Sequence, residues 1–321
     1  MTQKVSDTIE KVLLTARHSP SSHNTQPWKV AIDGSTVVVG YDSGRQLTVG
    51  DPDKRELFIS LGCFIESFAG AARALGYSVT VAYVGKGPTS IAHLELKDGL
   101  QADQHLNKLI RDRRSDRRFY EPKHLESAAL SHLQALSEGA AKLILFTDTA
   151  DLQFLADQTY AATYTTMANP AFRAELASWI RNNWTNKPDG MPAYTQGIPG
   201  PVSLLAKLII KKNKAVAKDQ ARKDSKRVAH SAAVGLICIN KHSPAAWLDA
   251  GRLYQRACLT ALEHGVKTSG VSAAIIDPTT TKKIVDKSGV SGEPVALLRF
   301  GYTKNSPKAS PRLTLSHFVT T

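Results

Sequence analysis

The sequence lacks the features that mark membrane-spanning and secreted proteins. It has no run of about 18 apolar residues, the length that a membrane-spanning helix needs, and its first residues lack the apolar core of a signal peptide. Only three cysteines are present, Cys63, Cys238 and Cys258, and they lie far apart without CxxC spacing. We therefore expect a cytoplasmic protein with buried, reduced thiols.

Common catalytic and nucleotide-binding motifs are also missing. The sequence contains no GxGxxG after a strand, no GxxxxGK[ST] phosphate loop, no GxSxG and no HExxH. His18 and His23 lie five residues apart in a loop, which is poor spacing for a metal site. Because the ionisable residues suggest no acid–base pair, we expect no metal and no catalytic side chain. Any enzymatic chemistry would come from a cofactor.

The net charge of +13 is concentrated in one segment. Residues 207–227 hold nine Lys or Arg and two Asp, a net of +7, so the rest of the chain is only mildly basic. A local feature of this kind argues against a nucleic-acid-binding face spread over a domain. We expect no nucleic acid partner.

The basic segment has the pattern of an amphipathic helix over residues 203–227. The lysines of one side are Lys207, Lys211, Lys214 and Lys218. The apolar residues of the other side are Leu204, Leu205, Leu208, Ile209 and Val216. Such a helix could lie on an anionic membrane surface, or its apolar side could pack on the same protein as a lid. We favour the lid and expect no membrane partner.

Helices and strands alternate through the rest of the chain. Residues 6–17 predict an amphipathic helix with Ser6 as its N-cap. The segment WKVAI, followed by STVVVGYD, predicts a hairpin around the turn at Asp33 and Gly34. Residues 183–202 are rich in Pro and Gly and predict irregular chain.

Two long apolar helices, predicted over residues 54–75 and 245–264, resemble each other. Gly62 in the first matches Gly251 in the second at an offset of 189 residues, and the same offset relates the glycines that end the two helices. This weak internal repeat suggests two similar lobes.

Two stretches contain more polar residues than a simple turn requires. HSPSSHNTQPWKV, residues 18–30, connects a predicted helix to a predicted strand. RDRRSDRRFY, residues 111–120, holds five arginines within eight residues, and these repel one another unless anions or carboxylates neutralise them. From charge alone, either a phosphate site or a solvated basic face explains the second stretch.

These stretches resemble the motifs of one family. PSSHNTQPW is similar to the PSSxNxQPW segment of FMN-dependent nitroreductases, and RRSDRRF is similar to their RRSxRxF segment. In ordinary members RRSxRxF comes first and both motifs lie in one lobe, but here the order is reversed. Because those members are homodimers with flavin sites between subunits, the split resembles the two-lobed Acg-type subgroup, in which one chain forms an internal pseudo-dimer.

The resemblance implies a nitroreductase-like α+β fold, built as a three-layer α/β/α arrangement with two tandem lobes. The first lobe would comprise residues 1–100 and carry the PSSHN loop. The second would comprise residues 101–321 and carry RRSDRRF. A lid-like insertion would lie at about residues 183–232, called the insertion below. The resemblance also implies one FMN per chain.

The resemblance assigns phosphate and ring contacts to arginines. Arg113 and Ser115 would hold the FMN phosphate and ribityl chain, and Arg312 would add a late phosphate contact. Arg117 would approach the pyrimidine edge of the ring. The remaining arginines of the motif, which we expect to be solvated or salt-bridged, are Arg114 and Arg118.

The other contacts would come from loops. The residues that line the flavin from the first lobe would be Pro20, Ser21, Ser22 and Asn24. The backbone of Ser272 or Ala273 would face flavin N5. Three further motif residues, expected to be structural, are Gln26, Pro27 and Trp28.

Two functions are compatible with this resemblance. The first is an oxidoreductase in which FMN takes a hydride from NADH or NADPH and passes electrons to a small-molecule acceptor, a nitroaromatic or quinone, in ping-pong order. The second is an FMN-binding or sequestering protein with little turnover, because an insertion packed over the flavin would hinder both substrates.

Overall fold

The structure is a computed structural model that describes residues 2–213 and 215–320, so Lys214 of the predicted amphipathic helix lies outside it. The strands are β1 (Trp28–Asp33), β2 (Thr36–Tyr41), β3 (Tyr77–Tyr83), β4 (Ala92–Asp98), β5 (Ser137–Glu138), β6 (Ala141–Phe146), β7 (Ile180–Arg181), β8 (Met191–Pro192), β9 (Ala233–Ile239), β10 (Lys267–Gly270), β11 (Glu293–Gly301) and β12 (Val319–Thr320). The helices are α1 (Thr2–Ala16), α2 (Arg55–Arg73), α3 (Gln104–Asp112), α4 (Ser127–Gln134), α5 (Thr149–Ala168), α6 (Pro170–Trp179), α7 (Gly200–Ser203), α8 (Ala206–Lys212), α9 (Ala215–Ala229), α10 (Pro244–Glu263), α11 (Ala273–Ile276), α12 (Pro278–Ser288) and α13 (Leu315–Phe318). Among the described residues, no helix combines the length and the hydropathy needed to cross a membrane.

The first sheet has the strand order β12-β1-β2-β4-β3. β1 and β2 form the predicted hairpin, and Gly34 takes the positive φ of +58° at its turn. One face of the sheet packs on α1 and α2, where the buried Trp28 stacks on Phe64 with ring centroids 4.9 Å apart. The expectation that Trp28 belongs to the core is confirmed. The N-cap prediction is wrong, because α1 begins at Thr2 and Ser6 lies inside it.

The second sheet has the order β10-β11-β9-β6-β5, and each strand runs antiparallel to its neighbours. Helices cover both of its faces. α4 and α10 pack on one face, and α5, α9 and α12 pack on the other. β9 is accordingly buried along its whole length, whereas β3 and β4 of the first sheet keep exposed side chains. The expected mixture of helices and sheets is confirmed.

Segments late in the chain contribute to the first sheet. β12 pairs in parallel with β1, with Val319 opposite Val30. Leu109 and Ile110 of α3 belong to the same apolar core as α1 and α2. The division at residues 100 and 101 stays a prediction, and two segments beyond it pack with the first sheet.

The two long helices, α2 and α10, cross each other between the two sheets. Their backbones are closest at Gly62 and Gly251, the pair that the internal repeat relates. Residues that a two-fold axis relates meet each other only on that axis. The crossing therefore has the geometry expected at the centre of an internal pseudo-dimer.

The insertion differs from the single amphipathic helix predicted over residues 203–227. The chain forms the separate helices α7, α8 and α9, and Asn213, after α8, is extended with φ −91° and ψ 110°. Leu204, Leu205 and Leu208 remain 63%, 57% and 50% exposed. The prediction that this apolar face packs on the same protein is wrong for these three leucines, because α8 contacts the protein through a different face.

Candidate functional site

The PSSHN loop is strained and tightly held. His23, Asn24 and Gln26 have φ of 52°, 56° and 51°, a conformation that side chains rarely adopt. The Ser21 hydroxyl accepts a hydrogen bond from the Gln26 backbone N–H at 2.9 Å. The Gln26 side chain accepts from the backbone N–H of Leu313 at 2.8 Å, which confirms its structural role. Backbone strain of this kind persists only where surrounding contacts enforce it, and it concentrates at functional sites.

Asn24 connects this loop to distant segments. Its side-chain amide donates to the carbonyls of Gly190 at 2.9 Å and Pro311 at 3.1 Å. Its Oδ1 accepts from Arg312 Nη1 at 3.1 Å. Protein groups thus use both amide hydrogens and one of the two acceptor sites of Oδ1, and Asn24 is not among the residues that line the nearby cavity described below.

The RRSDRRF stretch runs extended beside β10. Ser115 forms a parallel bridge with Thr268, and the Asp116 backbone N–H donates to the Thr268 carbonyl at 2.8 Å. Successive side chains of an extended chain point in opposite directions. Ser115 and Arg117 face a cavity, whereas the Asp116 carboxylate is buried on the other side and pairs with Arg118 at 2.6 Å.

The alternation explains the SxR spacing of Ser115 and Arg117, since every second residue of an extended chain reaches the same side. The salt bridge confirms the expectation for Arg118. Arg114 is half-buried and donates to the backbone carbonyls of Arg111 and Arg113. Burial lowers the pKa of Arg114, and the neighbouring Arg113 lowers it further.

The two motifs meet around one cavity of about 560 Å³, called the motif cavity below. Seven of the ten predicted site residues line it: Pro20, Ser21, Ser22, Ser115, Arg117, Ser272 and Ala273. Asn24, Arg113 and Arg312 do not line it. The PSS residues come from the loop before the first sheet, and the others come from segments next to the second sheet. Residues that lie up to about 250 positions apart in the sequence therefore line the same cavity.

Arg113 and Arg312 form an arginine cluster next to the motif loop. Arg113 Nη2 and Arg312 Nη2 both donate to the His18 carbonyl, at 3.1 and 3.2 Å. The Nε atoms of Arg17, Arg113 and Arg312 are buried and have no hydrogen-bond partner in the described part of the chain. Arg55, Arg173 and Arg227 also have a buried Nε without a partner, so these donors alone do not mark an anion site. The close approach of Arg17 and Arg113 to Arg312 makes the cluster a candidate place for an anion.

The pKa shifts in and beside this cluster also favour a bound anion. Burial lowers the pKa of Arg312 to about 9, and the neighbouring Arg113, Arg114 and Arg17 lower it further. Burial also lowers the pKa of His18 to about 3, with Arg312 as the next cause. No described carboxylate forms a salt bridge with Arg17, Arg113 or Arg312. A bound anion would relieve this repulsion.

Arg117 has its guanidinium free for a ligand. It donates no hydrogen bond and forms no salt bridge with any residue that the structure describes, and burial lowers its pKa. His23 lies near it, with its ring edge-on to Phe172 at 6.5 Å between centroids. Burial lowers the pKa of His23 to about 4, and Arg117 lowers it further. The imidazole is therefore neutral near pH 7 beside a cationic Arg117.

The sequence reasoning missed Glu56 at the start of α2. Its Oε2 accepts from the Ser22 hydroxyl at 2.7 Å, while its buried Oε1 has no partner among the described residues. Asp51 accepts the backbone N–H groups of Glu56 and Leu57 at 2.9 and 2.8 Å. Burial raises the pKa of Asp51 to about 7, and Glu56 raises it further. The segment DPDKRELF, an acidic run before an apolar helix, carried a capping signal that could have drawn attention to it.

All three cysteines are buried and free, as expected. Cys63 lines the motif cavity, together with Tyr254. Burial raises the pKa of the Cys63 thiol well above its usual value, so the thiol is protonated and unreactive. Within the described residues, no group of His, Cys, Asp or Glu is arranged to hold a metal ion.

A second cavity, of about 420 Å³, lies beneath the insertion and is called the insertion cavity below. His23, Arg117, Thr166, Phe172 and Ala273 belong to the lining of both cavities. The insertion supplies most of the remaining wall, and its side chains there are largely apolar. The insertion therefore stands directly beside the residues that the two motifs bring together.

The chain is similar in sequence to curated proteins named as NAD(P)H nitroreductases. The provisionally named NAD(P)H nitroreductase Rv3131 of Mycobacterium tuberculosis is 34% identical over 121 residues, 36% of this chain and 34% of that protein. PigM of Serratia sp. is 30% identical over 146 residues, 41% of each chain. The acg protein of M. tuberculosis is 30% identical over 102 residues, 32% of this chain and 30% of that protein. The matches thus span 30% to 41% of the length of these relatives, and no protein-family model matches the chain.

Solved structures named as nitroreductases give weaker matches. The FMN- and NADPH-dependent nitroreductase NfnB from sphigopyxis sp. strain HMH is 16% identical with a TM-score of 0.44, and the match covers 66% of this chain and 96% of that one. NfnB of Mycobacterium smegmatis is 16% identical with a TM-score of 0.42, covering 67% and 96%. TM-scores below 0.5 support no argument from these structures, so the similarity to nitroreductases is argued from the sequence relatives.

Proposed function

We propose that this chain is an internal pseudo-dimer that binds one FMN and acts as an NAD(P)H-dependent oxidoreductase. The observation that carries the proposal is the meeting of PSSHN and RRSDRR around the motif cavity. The contact between Gly62 and Gly251 supports the pseudo-dimer, because these are the residues that the internal repeat relates. The names of the sequence relatives support the activity.

The arginine cluster fits the FMN phosphate. The buried Nε groups of Arg17, Arg113 and Arg312 are donors in need of an acceptor, and a phosphate offers several oxygens to guanidinium groups. Arg17 adds a third cation to the cluster, one that the motifs alone did not suggest. Asn24 would act indirectly by holding Arg312.

The motif cavity fits the ring and the ribityl chain. Its volume of about 560 Å³ lies within the usual range of cofactor sites, and apolar walls are combined with the hydroxyls of Ser21, Ser22 and Ser115. Arg117 would lie at the pyrimidine edge, where its charge stabilises negative charge on the reduced ring. The Ser272–Ala273 backbone would face N5. FMN held by these residues would supply the chemistry of hydride acceptance from NAD(P)H and of electron transfer to a small-molecule acceptor.

One observation favours the second candidate, a flavin-sequestering protein. The insertion cavity shares Arg117 and His23 with the motif cavity, so the insertion lies directly beside the proposed flavin site, where it would hinder nicotinamide and acceptor. If the insertion stays closed, the flavin would be bound but turnover would be slow.

Flavin stoichiometry and anaerobic reduction test both candidates. The protein is purified, its bound flavin is counted per chain, and NADH or NADPH is added under anaerobic conditions while the visible flavin absorbance is followed. One flavin per chain that bleaches within seconds supports the oxidoreductase. One flavin that neither nucleotide reduces supports sequestration. Two flavins per chain contradict the pseudo-dimer, and failure to bind added FMN contradicts both functions.

A further inference from the structure

The insertion carries an exposed apolar patch that the rest of the described surface lacks. Thirteen large apolar side chains are exposed in the described part of the chain, and six of these lie within residues 184–209. These six form the insertion patch: Trp184, Val202, Leu204, Leu205, Leu208 and Ile209. Scattered apolar residues are normal on a protein surface, but a concentration of this kind marks an interaction site.

The patch exists because α8 is apolar on two sides. Ala206 and Ile210, one turn apart, pack with Ile180 and Met191 in a small core of the insertion. Leu208 lies on a different side and is half exposed. The first helix of the insertion adjoins the same surface, since a Cβ built on Gly200 would lie 3.1 Å from the ring of Trp184, which is 62% exposed.

The sequence of the patch is rich in lysine. No Asp or Glu occurs in residues 190–218, and Lys207, Lys211, Lys212 and Lys218 are exposed there. Burial lowers the pKa of Lys207, and the nearby cations Arg181 and Lys187 lower it further. Asp219 and Asp224 line the insertion cavity beside Val202 and Ile209, so the uncompensated positive charge lies on the side of the patch that carries Lys207, Lys211 and Lys212.

The patch is continuous with the insertion cavity. Val202 and Ile209 are 46% and 36% exposed, and both also line that cavity. The patch and the neighbourhood of Arg117 are thus connected through one cavity, which is lined by apolar and polar side chains.

We propose that the insertion patch docks on the surface of an anionic lipid membrane. Exposed Leu and Ile with a ring of lysines, and a Trp at the edge, have the composition of segments that lie in the interface of a bilayer. The lysines gain from anionic headgroups while the apolar side chains enter the acyl boundary. If the proposed flavin function holds, the cavity would receive lipid-soluble acceptors from that membrane, but docking does not depend on it.

The other partners fit this surface less well. A second copy of the chain, related by a two-fold axis, would place lysines of the insertion against the same lysines. Nucleic acid would satisfy the lysines but leave the exposed leucines against a hydrated phosphate backbone. Of these three partners, only an anionic bilayer satisfies the charged and the apolar parts of the patch together.

Vesicle co-sedimentation of the full chain tests the proposal. Wild-type protein is mixed with vesicles of phosphatidylcholine alone or with phosphatidylglycerol added, at low and at high salt. The double variant Leu208→Ser/Lys211→Gln is compared with Val84→Ser/Lys86→Gln, which alters one exposed apolar residue and one exposed lysine on another face. We expect wild type and control to bind anionic vesicles roughly tenfold more than neutral ones, and the patch variant to lose about tenfold.

Several outcomes would overturn the proposal. These are no binding to anionic vesicles, equal binding to both kinds of vesicle, or equal loss in the control variant. Light scattering is measured on the same samples, and a dimer that Leu208→Ser abolishes, without vesicle binding, would assign the patch to self-association instead. A blue shift of tryptophan fluorescence on vesicle binding, absent in Trp184→Phe, would place the patch itself in the bilayer interface. Flavin content is measured in parallel, so that failure of flavin binding and failure of docking are separated.

Discussion

Gly62 of α2 and Gly251 of α10 touch backbone to backbone. A Cβ built on Gly62 would lie 2.1 Å from the Leu248 carbonyl oxygen, and one built on Gly251 would lie 2.1 Å from the Ile59 carbonyl oxygen. Each glycine thus meets the helix of the other in the same way. The relationship is reciprocal, as at an isologous dimer interface, although both helices belong to one chain.

Substitution at this crossing should separate the two helices. We expect Gly251→Ala to lower the free energy of unfolding by about 3 kcal/mol or more, because the new methyl group overlaps backbone atoms that cannot rotate away. Gly87→Ala is the control, since a Cβ there meets nothing within 4 Å. Urea denaturation of both variants measures the difference, and equal stability of the two variants would contradict the close crossing.

The arginine cluster should decide FMN affinity. We expect Arg113→Ala to weaken binding of FMN about tenfold to a hundredfold, because a charge-assisted contact with phosphate is lost. Binding of riboflavin, which has no phosphate, should change far less. Arg222→Ala, on the exposed side of α9, serves as the control. A variant that loses FMN and riboflavin equally would show that Arg113 does not bind the phosphate.

Asn24 should stabilise the protein by holding the insertion against the PSSHN loop. We expect Asn24→Ala to lower stability by about 1–3 kcal/mol, because its buried bonds to Gly190, Pro311 and Arg312 are lost. Limited proteolysis should show faster cleavage near residues 183–199, whereas the exposed Asn240→Ala should leave cleavage unchanged. If Asn24 contacted only the ligand, its replacement would leave the cleavage rate of the ligand-free protein unaltered.

Asp51 should make stability depend on pH. Its pKa is raised from 3.8 to about 7, first by burial, so the folded state binds a proton that the unfolded state releases between these values. Stability should therefore fall as pH rises from about 4 to 7 and then level off. In Asp51→Asn this loss should be absent. As the pH rises from 4 to 8, the free energy of unfolding of the variant should therefore increase by at least about 1 kcal/mol relative to that of wild type.

Denaturant titrations at pH 4 and pH 8 measure this gain. Asp148→Asn is the control, because Asp148 also caps a helix N-terminus, by accepting from the Ala150 backbone N–H, but is exposed. Parallel pH dependence in wild type and Asp51→Asn would show that the carboxyl is ionised in the folded state.

Much of the site follows from local sequence. The resemblance of RRSDRRF and PSSHNTQPW to family motifs assigned site roles to Ser115, Arg117, Ser21 and Ser22, and all four line the motif cavity. Asn24 could not be placed in this way, because its partners lie 166 and 287 residues away. Glu56 was missed for a similar reason, since its contact with Ser22 depends on how α2 meets the loop.

The fold shows the same division between local and distant effects. The hairpin and the two long helices were predicted because their signals are periodic and local. The single amphipathic helix was predicted wrongly, because the chain is extended at Asn213. Its packing face was also predicted wrongly. Ala206 and Ile210 pack in the small core of the insertion and Leu208 is exposed, and the choice between two apolar sides depends on tertiary contacts.

The pairing of β12 with β1 has a consequence for the order of assembly. Val30 can pair with Val319 only after almost 290 further residues have been synthesised. The bonds of Gln26 to Leu313 and of Asn24 to Pro311 require a similar length of chain. Contacts of such separation form late, after local helices and hairpins. The PSSHN loop would therefore acquire its binding conformation as one of the last events of folding, so a nascent chain would not capture the cofactor before its synthesis is nearly complete.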